Sequence, residues 1–234
     1  VEFKDVSFFF FFSSGEEVLS NINLKINKGE KIGILGSTGC GKSTLVNLIT
    51  RFYDTTSGEV YVDGKNVKDY TFDSLRSKVV LVLQKSELYS GTIKENICWG
   101  KKDATMEEIE FATQIAQADT FIKSFNDGYD TFVAEKGASL SGGQKQRISI
   151  ARALIKKPEV LIFDDSTSAL DLQTEANLYN ALNENLKDMT IITIAQRVAS
   201  VKNADKIVVL NDGKIAAVGT HEQLMNESSI YQDI

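Results

Sequence analysis

The stretch that decides the fold of this 234-residue chain is Lys31-Ile-Gly-Ile-Leu35 followed by Gly36-Ser-Thr-Gly-Cys-Gly-Lys-Ser-Thr44. The first part is a short apolar run typical of a buried strand, and the second fits the pattern G-x-x-x-x-G-K-[ST]. Residues 44–52 then carry apolar side chains at helical spacing. A strand, a glycine-rich loop and a helix in this order predict a phosphate-binding loop in an α/β protein.

In such a loop, backbone N–H groups turn toward phosphate oxygens, and the helix N-terminus adds the positive end of its dipole. Lys42 is expected to reach the β- and γ-phosphates, and the Ser43 hydroxyl is expected to bind Mg²⁺. The guanine-reading pattern N-K-x-D is missing, because Asn27-Lys-Gly-Glu30 is a turn between strands. That favours ATP. The loop residues predicted to bind it are Gly36, Ser37, Thr38, Gly39, Cys40, Gly41, Lys42, Ser43 and Thr44.

Strands and helices alternate along the rest of the chain. Strands are predicted at 1–6, 8–12, 21–26, 58–63, 79–83, 160–163, 190–194, 206–210 and 214–218. Between about residues 92 and 157 the apolar spacing becomes helical, with helices predicted at 105–117, 119–125 and 141–156. This order predicts an α/β sheet layered with helices and an inserted helical subdomain.

Composition excludes several classes of protein. The 26 Lys and Arg against 32 Asp and Glu give a net charge of −6, which creates no overall attraction for nucleic acid. Two cysteines cannot form a disulfide framework, and one histidine excludes a site with several histidine ligands. The longest apolar runs have five residues, whereas a membrane span needs about 20. The chain lacks a starting Met, so we expect a piece of a longer polypeptide.

Two carboxylates follow the apolar run Val160-Leu-Ile-Phe163. In an open α/β sheet, ligands bind at the carboxyl ends of the strands, where Asp164 and Asp165 would lie. We expect Asp164 to hold Mg²⁺, as the aspartate at this place in phosphate-loop ATPases does.

The segment Leu140-Ser-Gly-Gly-Gln144, followed by Lys145-Gln-Arg147, precedes that strand and begins an Ala- and Ile-rich helix. The sequence L-S-G-G-Q-x-Q-R resembles the signature of the ABC transporter ATPases. The resemblance covers essentially the whole chain. It implies one ATP-binding domain over 1–234: a P-loop NTPase (RecA-like) core with an N-terminal antiparallel β subdomain and an inserted α-helical signature subdomain. Residues 1–84 would form the β subdomain and part of the core, 85–157 the helical subdomain, and 158–234 the rest of the core.

Three further segments are similar to exporter-type members: Glu135-Lys-Gly137, Ser90-Gly-Thr-Ile-Lys-Glu-Asn-Ile97 and Gly219-Thr-His-Glu-Gln-Leu224. The resemblance also implies individual roles. Phe10 would stack on adenine, where the family usually has Tyr. Gln84 would be the Q-loop glutamine, joining Ser43 and Asp164 as a ligand of Mg²⁺.

The family forms a head-to-tail dimer, which implies a role for the signature. Leu140, Ser141, Gly142, Gly143 and Gln144 would cap the ATP of a partner, and Asp171 would lie in the D-loop. The expected partners are a second ABC ATPase domain and transmembrane domains in the same polypeptide, with no nucleic acid. The domain would work on the cytoplasmic side of a membrane, and coupling helices would dock near Glu135 and Gln84.

Two departures from the family pattern change the expected activity. Asp165 stands where the family has Glu as the general base, which withdraws the carboxylate by about 1.5 Å. Gln196 stands where the family has His. With Lys42, these two are the predicted catalytic residues. Loss of a general base is worth about 10²–10⁴ in rate, so we expect a site that binds MgATP and hydrolyses it poorly.

That expectation describes the degenerate-site half of a heterodimeric exporter. Alternatives are a slow homodimeric ATPase and a non-transport ABC ATPase acting on nucleic acid or ribosomes. Deliberate inactivation is a further explanation, although it more often exchanges Glu for Gln and His for Ala. Among the remaining residues, His221 is predicted to be structural or to lie at the surface, and Cys40 is predicted to be packing filler in the loop. Phe8, Phe10 and Phe12 are expected to share one side of a strand.

Overall fold

The computed structural model describes residues 1–10 and 17–234. The chain divides into two compact units. The first, here called the sheet unit, comprises Val1–Val80, Glu159–Asp165 and Asp188–Ile234. The second, the helical unit, comprises Leu81–Pro158 and Ser166–Lys187.

The strands are β1 (Glu2–Phe9), β2 (Glu17–Lys25), β3 (Lys31–Leu35), β4 (Ser57–Val62), β5 (Lys65–Asn66), β6 (Val79–Val82), β7 (Gly91–Thr92), β8 (Phe132–Val133), β9 (Val160–Asp164), β10 (Thr190–Ile194), β11 (Lys206–Asn211) and β12 (Lys214–Gly219). The α-helices are α1 (Lys42–Ile49), α2 (Phe72–Lys78), α3 (Ile93–Cys98), α4 (Met106–Ile115), α5 (Asp119–Ser124), α6 (Gly142–Leu154), α7 (Leu172–Asn185), α8 (His221–Glu227) and α9 (Ser229–Gln232).

A six-stranded sheet forms the core, in the order β12-β11-β3-β10-β9-β6. Strands β3, β9, β10 and β11 pair in parallel, and β12 is antiparallel to β11. All five residues of β10 are buried, as expected for a parallel strand covered on both faces. Ile194 pairs with both Ile34 and Asp164, so β3, β10 and β9 end side by side. This common edge is where the sheet unit carries its polar site.

A second sheet has the order β2-β1-β4-β5, with antiparallel pairing throughout. Buried and exposed residues alternate along most of β2, which is the pattern of a strand with one face toward a core. The antiparallel sheet and the parallel core therefore confirm the predicted α/β class with an N-terminal antiparallel part.

The helical unit packs α3 and α4 against α6, and α4 also contacts α5 and α7. Apolar side chains line these contacts and are fully buried: Ile93, Ile97, Ile109, Ile122 and Ile148. Capping boxes begin α3, α4 and α6, so the first N–H groups of each helix have side-chain acceptors. None of the helices in residues 1–10 and 17–234 is both long and apolar enough to cross a membrane.

Most predicted elements are confirmed within a few residues, including the helices at 105–117, 119–125 and 141–156. The predicted helix 44–52 instead runs from Lys42 to Ile49, because the loop leads directly into it and Arg51 adopts a left-handed φ of 53°. Helices α2, α3, α7, α8 and α9 were not predicted. The predicted strand 8–12 ends at Phe9 as part of β1, and Phe11 and Phe12 lie outside the described residues.

Candidate nucleotide-binding site

The loop after β3 has the backbone shape that phosphate binding requires. Gly36 has φ 150°, and a Cβ there would lie 2.2 Å from the Leu210 carbonyl oxygen and 2.7 Å from Cys40 Sγ, so no larger residue fits. Gly41 is the N-cap of α1, and no side chain among the described residues caps that helix. The first N–H groups of α1 therefore remain available to an anion at the mouth of the loop.

The Lys42 side chain lies over this mouth. Its Nζ donates to the carbonyl oxygens of Gly36 and Ser37, both at 2.7 Å, and lies 3.8 Å from Cys40 Sγ. Neutral carbonyls are weaker partners for an ammonium group than phosphate oxygens are. Phosphate oxygens could therefore replace these carbonyls as partners of Lys42.

Ser43 and Asp164 bring two side-chain oxygen atoms together. The Ser43 Oγ donates to Asp164 Oδ1 at 3.0 Å, which joins the first turn of α1 to the end of β9. Burial raises the pKa of Asp164, while the hydrogen bond from Ser43 opposes that rise. A desolvated carboxylate beside a hydroxyl fits Mg²⁺, which prefers oxygen ligands and takes its others from phosphates and water. Among the described residues there is no cluster of three or more His, Cys, Asp or Glu side chains for a metal, and a Mg²⁺–nucleotide site needs none.

Asp165 and Gln196 meet at the same edge. Gln196 Nε2 donates to Asp165 Oδ2 at 2.7 Å, and the Asp165 N–H donates to the Ile194 carbonyl at 3.0 Å. Asp165 holds a left-handed φ of 49°, which turns its side chain out of the strand direction. The two residues at which the chain departs from the family pattern are thus direct partners.

Phe10 lies just beyond β1 in a group of aromatic rings. Its centroid is 4.9 Å from that of Phe8 and 5.3 Å from that of Tyr53, both close to perpendicular. The short distance between Phe8 and Phe10 fits the prediction that they share one side, whereas Phe12 lies outside the described residues. Tyr53 was not predicted to belong to this site, and sequence spacing offers no signal for it.

The remaining predicted site residues belong to the helical unit. Ser141 is the N-cap of α6: its Oγ accepts from the Gln144 N–H at 3.2 Å, and Gln144 Oε1 accepts from the Ser141 N–H at 2.9 Å. Gly143 lies close to the segment just before Asp171, since a Cβ there would be 3.2 Å from the Ala169 carbonyl oxygen. Asp171 accepts from the Thr174 hydroxyl at 2.7 Å and caps α7 by accepting from the Thr174 N–H, and these two hydrogen bonds, the hydroxyl's first, lower the pKa of Asp171.

The structure therefore groups the predicted residues in two sets. Phe10, the loop 36–44, Asp164, Asp165 and Gln196 lie in the sheet unit. The exposed Gln84, the signature 140–144 and Asp171 lie in the helical unit. Sequence reasoning missed the capping box within the signature, although S-x-x-Q before a helix is its recognised pattern.

Two smaller predictions also concern the sheet unit. His221 Nδ1 lies 2.7 Å from the hydroxyl of Tyr231, whose ring belongs to a buried cluster with Leu35 and Leu224, so the structural role predicted for His221 is confirmed. Cys40 is 4% exposed and packs inside the loop, as expected of a filler residue.

Comparison with known proteins agrees with this geometry. A family model described as "ABC transporter" matches residues 19–168. The chain is 49% identical over all 234 residues to the putative multidrug export ATP-binding/permease protein YgaD of Bacillus subtilis, spanning 40% of that protein. It is 48% identical over 217 residues to a putative multidrug export ATP-binding/permease protein of Staphylococcus aureus strain NCTC 8325, covering 93% of the chain and 38% of that protein.

A solved structure of a bacterial Atm1-family ABC exporter with ATP bound superimposes with a TM-score of 0.94. The sequence identity is 36%, over 99% of this chain and 41% of that one. The chain belongs to the ABC transporter family, and the part present is an ATPase domain of the exporter type. It spans about two fifths of the length of these relatives.

Proposed function

We propose that this domain binds MgATP and, as part of a longer exporter, uses it to drive transport across a membrane. The observation that carries the proposal is the arrangement of Lys42, Ser43 and Asp164 at the mouth of the glycine-rich loop. Lys42 would pair with the β- and γ-phosphates. Ser43 and Asp164 would hold Mg²⁺, which neutralises charge on the phosphates when it is bound.

The relatives suggest which partners this domain would have. Their names describe export proteins with a permease part, and this chain corresponds to about two fifths of their length. We therefore propose that the rest of the polypeptide supplies transmembrane domains, which would dock near Gln84 and Glu135. The ATPase domain would then lie on the cytoplasmic side of the membrane.

The signature would act on a second ABC ATPase domain. The Ser141 oxygen accepts the Gln144 N–H in the helix cap, yet the hydroxyl keeps its own proton for donation to a phosphate. The glycine N–H groups at the start of α6 add a second anion site. An ATP bound by a partner's loop would be capped by these groups, so that ATP binding contributes to association of the two domains.

The domain's own site is proposed to hydrolyse ATP slowly. A general base must reach the attacking water, and Asp165 is one methylene shorter than Glu. Its Oδ2 accepts a 2.7 Å hydrogen bond from Gln196, which carries no cationic form. A carboxylate that is both withdrawn and held by a neutral amide is poorly placed to accept a proton from water. This supports the degenerate-site half of a heterodimer, in which the intact signature serves the competent site.

The test is ATP turnover by the purified chain, compared with the double variant Asp165→Glu, Gln196→His. Because a displacement near 1 Å costs about a hundredfold, the double variant should raise kcat by about that factor. The control makes the same exchanges at exposed positions of the helical unit, Asp127→Glu and Gln114→His, and should leave kcat unchanged.

Equal turnover by the unmodified chain and the double variant would overturn the slow-site proposal. Adding a second ABC ATPase domain with an intact Glu and His distinguishes the two kinds of dimer. A heterodimer predicts that turnover rises with the partner and depends on Ser141 of this chain. A slow homodimer predicts that turnover per chain rises with the concentration of this chain alone.

A further inference from the structure

Tyr53 contacts the proposed base-stacking residue although it lies far from it in sequence. The Tyr53 ring centroid is 5.3 Å from that of Phe10, with the planes at 88°, and 5.5 Å from that of Phe8. Phe8 is 5% exposed and Tyr53 is 42% exposed. The three rings thus form a continuous group that runs from the core to the surface, with each ring touching the other two.

The segment that carries Tyr53 is tightly held on both sides. It follows α1, and the Phe52 N–H donates to the Asn47 carbonyl at 2.9 Å. Arg51 Nε donates to Asp54 Oδ1 at 2.9 Å, which bridges across Tyr53 itself. The Thr56 N–H then donates to the Ser7 carbonyl of β1 at 3.0 Å, and Thr56 Oγ1 accepts from the Phe9 N–H.

These contacts connect the phosphate-binding end of the proposed nucleotide site with the end at Phe10. Helix α1 begins at the loop for the phosphates and ends at the turn that places Tyr53. Two neighbouring rings, both close to perpendicular to Phe10, restrict the plane that Phe10 can adopt. The plane of a stacking ring decides where a base can lie relative to a triphosphate held elsewhere.

We propose that Tyr53 is a positioning residue for the base of the nucleotide, acting by holding the Phe10 ring at a fixed distance and orientation from the phosphate loop. The inference rests on the proposed ATP binding at Phe10 and adds a residue to it. Tyr53 itself need not touch the nucleotide. Its contribution should therefore disappear when the Phe10 ring is removed, and should be absent for a ligand that has phosphates but no base.

The experiment measures the Kd of MgATP and of magnesium tripolyphosphate by calorimetry on the full 234-residue chain. The variants are Tyr53→Leu, Tyr53→Phe, Phe10→Leu and the double variant Phe10→Leu, Tyr53→Leu. Tyr61→Leu is the matched control, since Tyr61 lies in β4 of the same sheet unit and contacts Lys4 instead. A thermal melt of each variant checks that it is folded.

We expect Phe10→Leu to weaken MgATP binding by about tenfold, the usual worth of one stacked base. Tyr53→Leu should weaken it by about threefold to tenfold, because an aromatic contact contributes that much. Tyr53→Phe keeps the ring and should keep the affinity. Tripolyphosphate binding should stay constant in all variants, and in the Phe10→Leu background Tyr53→Leu should add less than about twofold.

The outcomes separate the positioning role from the proposed function. If Tyr53→Leu leaves MgATP binding unchanged while Phe10→Leu weakens it, Tyr53 does not position Phe10, although the base contact stands. Equal loss for ATP and tripolyphosphate, or an additive double variant, would overturn the positioning role in favour of a general structural one. If Phe10→Leu itself has no effect, the base contact fails, and with it the role of Tyr53. Should Tyr53→Leu not fold, Tyr53→Met with the same two ligands replaces it.

Discussion

At one edge of the sheet, two neighbouring pairs of residues differ in the chemistry of their side chains. In the pair Ser43–Asp164, a hydroxyl meets a carboxylate at 3.0 Å, and a metal ion can bind both oxygens. In the pair Asp165–Gln196, an amide holds the next carboxylate at 2.7 Å, and neither group matches the family pattern. The first pair is suited to holding a nucleotide and the second poorly suited to cleaving it. On the proposed function, affinity and turnover would rest on different residues, and each could be changed separately.

The largest expected effect concerns nucleotide binding. Lys42→Ala removes the ammonium that would form two charge-assisted hydrogen bonds to phosphates, each worth about 1.5–3 kcal/mol. ATP affinity should fall by about a hundredfold or more, measured by calorimetry. Lys28→Ala, in an exposed turn of the same unit, is the control and should bind ATP normally. A Lys42→Ala chain that binds within threefold of the original would contradict the assignment.

Thiol labelling tests nucleotide binding without a mutation. Cys40 is buried within the loop, with Lys42 Nζ 3.8 Å from its sulfur, so a maleimide reaches it only when the loop opens. At an ATP concentration ten times Kd, labelling of Cys40 should slow by about tenfold, and a labelled chain should no longer bind ATP. Cys98 in the helical unit is an internal control, and its labelling rate should ignore MgATP. The double variant at Asp165 and Gln196 should be protected equally, whereas equal Cys40 labelling with and without MgATP would refute the prediction.

The smallest expected effect is on stability and concerns Glu108, which belongs to neither pair. Glu108 accepts from Lys101 and Lys157, at 2.7 and 2.8 Å, and these hydrogen bonds lower its pKa from 4.5 to about 2. A carboxyl whose pKa is lower in the folded state stabilises the fold above its ordinary pKa, and this stabilisation fades as pH falls toward the lower value. Glu108→Gln should therefore lower the Tm by about 1–2 °C at pH 7.

That difference should shrink as the pH falls from about 4.5 toward 2, followed by thermal melts across the range. Glu107→Gln, in the same first turn of α4, is the matched control for the helix dipole. Neither variant should change ATP affinity or turnover, because neither residue belongs to the proposed nucleotide-binding or signature residues. A Tm difference that persists unchanged to pH 2 would show that the two lysines do not cause the effect.

Much of the edge that carries both pairs was predictable from sequence. Asp164 and Asp165 end one apolar run and Gln196 follows the next, and parallel strands that are neighbours bring such positions together. The hydrogen bond between Asp165 and Gln196 was not predictable, because it depends on the left-handed backbone at Asp165. Patterns of residue type do not report that conformation at a non-glycine residue.

Two other features were missed for different reasons. Helix α7 has a buried stripe limited to Glu175, Leu178 and Leu182, so its apolar signal is weak beside the strands around it. The contact between Tyr53 and Phe10 spans more than forty residues and arises from the turn after α1. Such a contact follows from packing of the folded chain and leaves no local periodicity to detect.

The capping box at the start of α6 has a consequence for the encounter with a partner domain. Ser141 and Gln144 already hold each other's backbone N–H groups in the single chain, so the signature is ordered before any second domain arrives. Little conformational entropy would then be lost when the signature meets an ATP bound by a partner domain. In the proposed dimer, Ser141 and Gln144 would act as a pre-ordered template, and the entropic cost of closure would fall on other parts of the two chains.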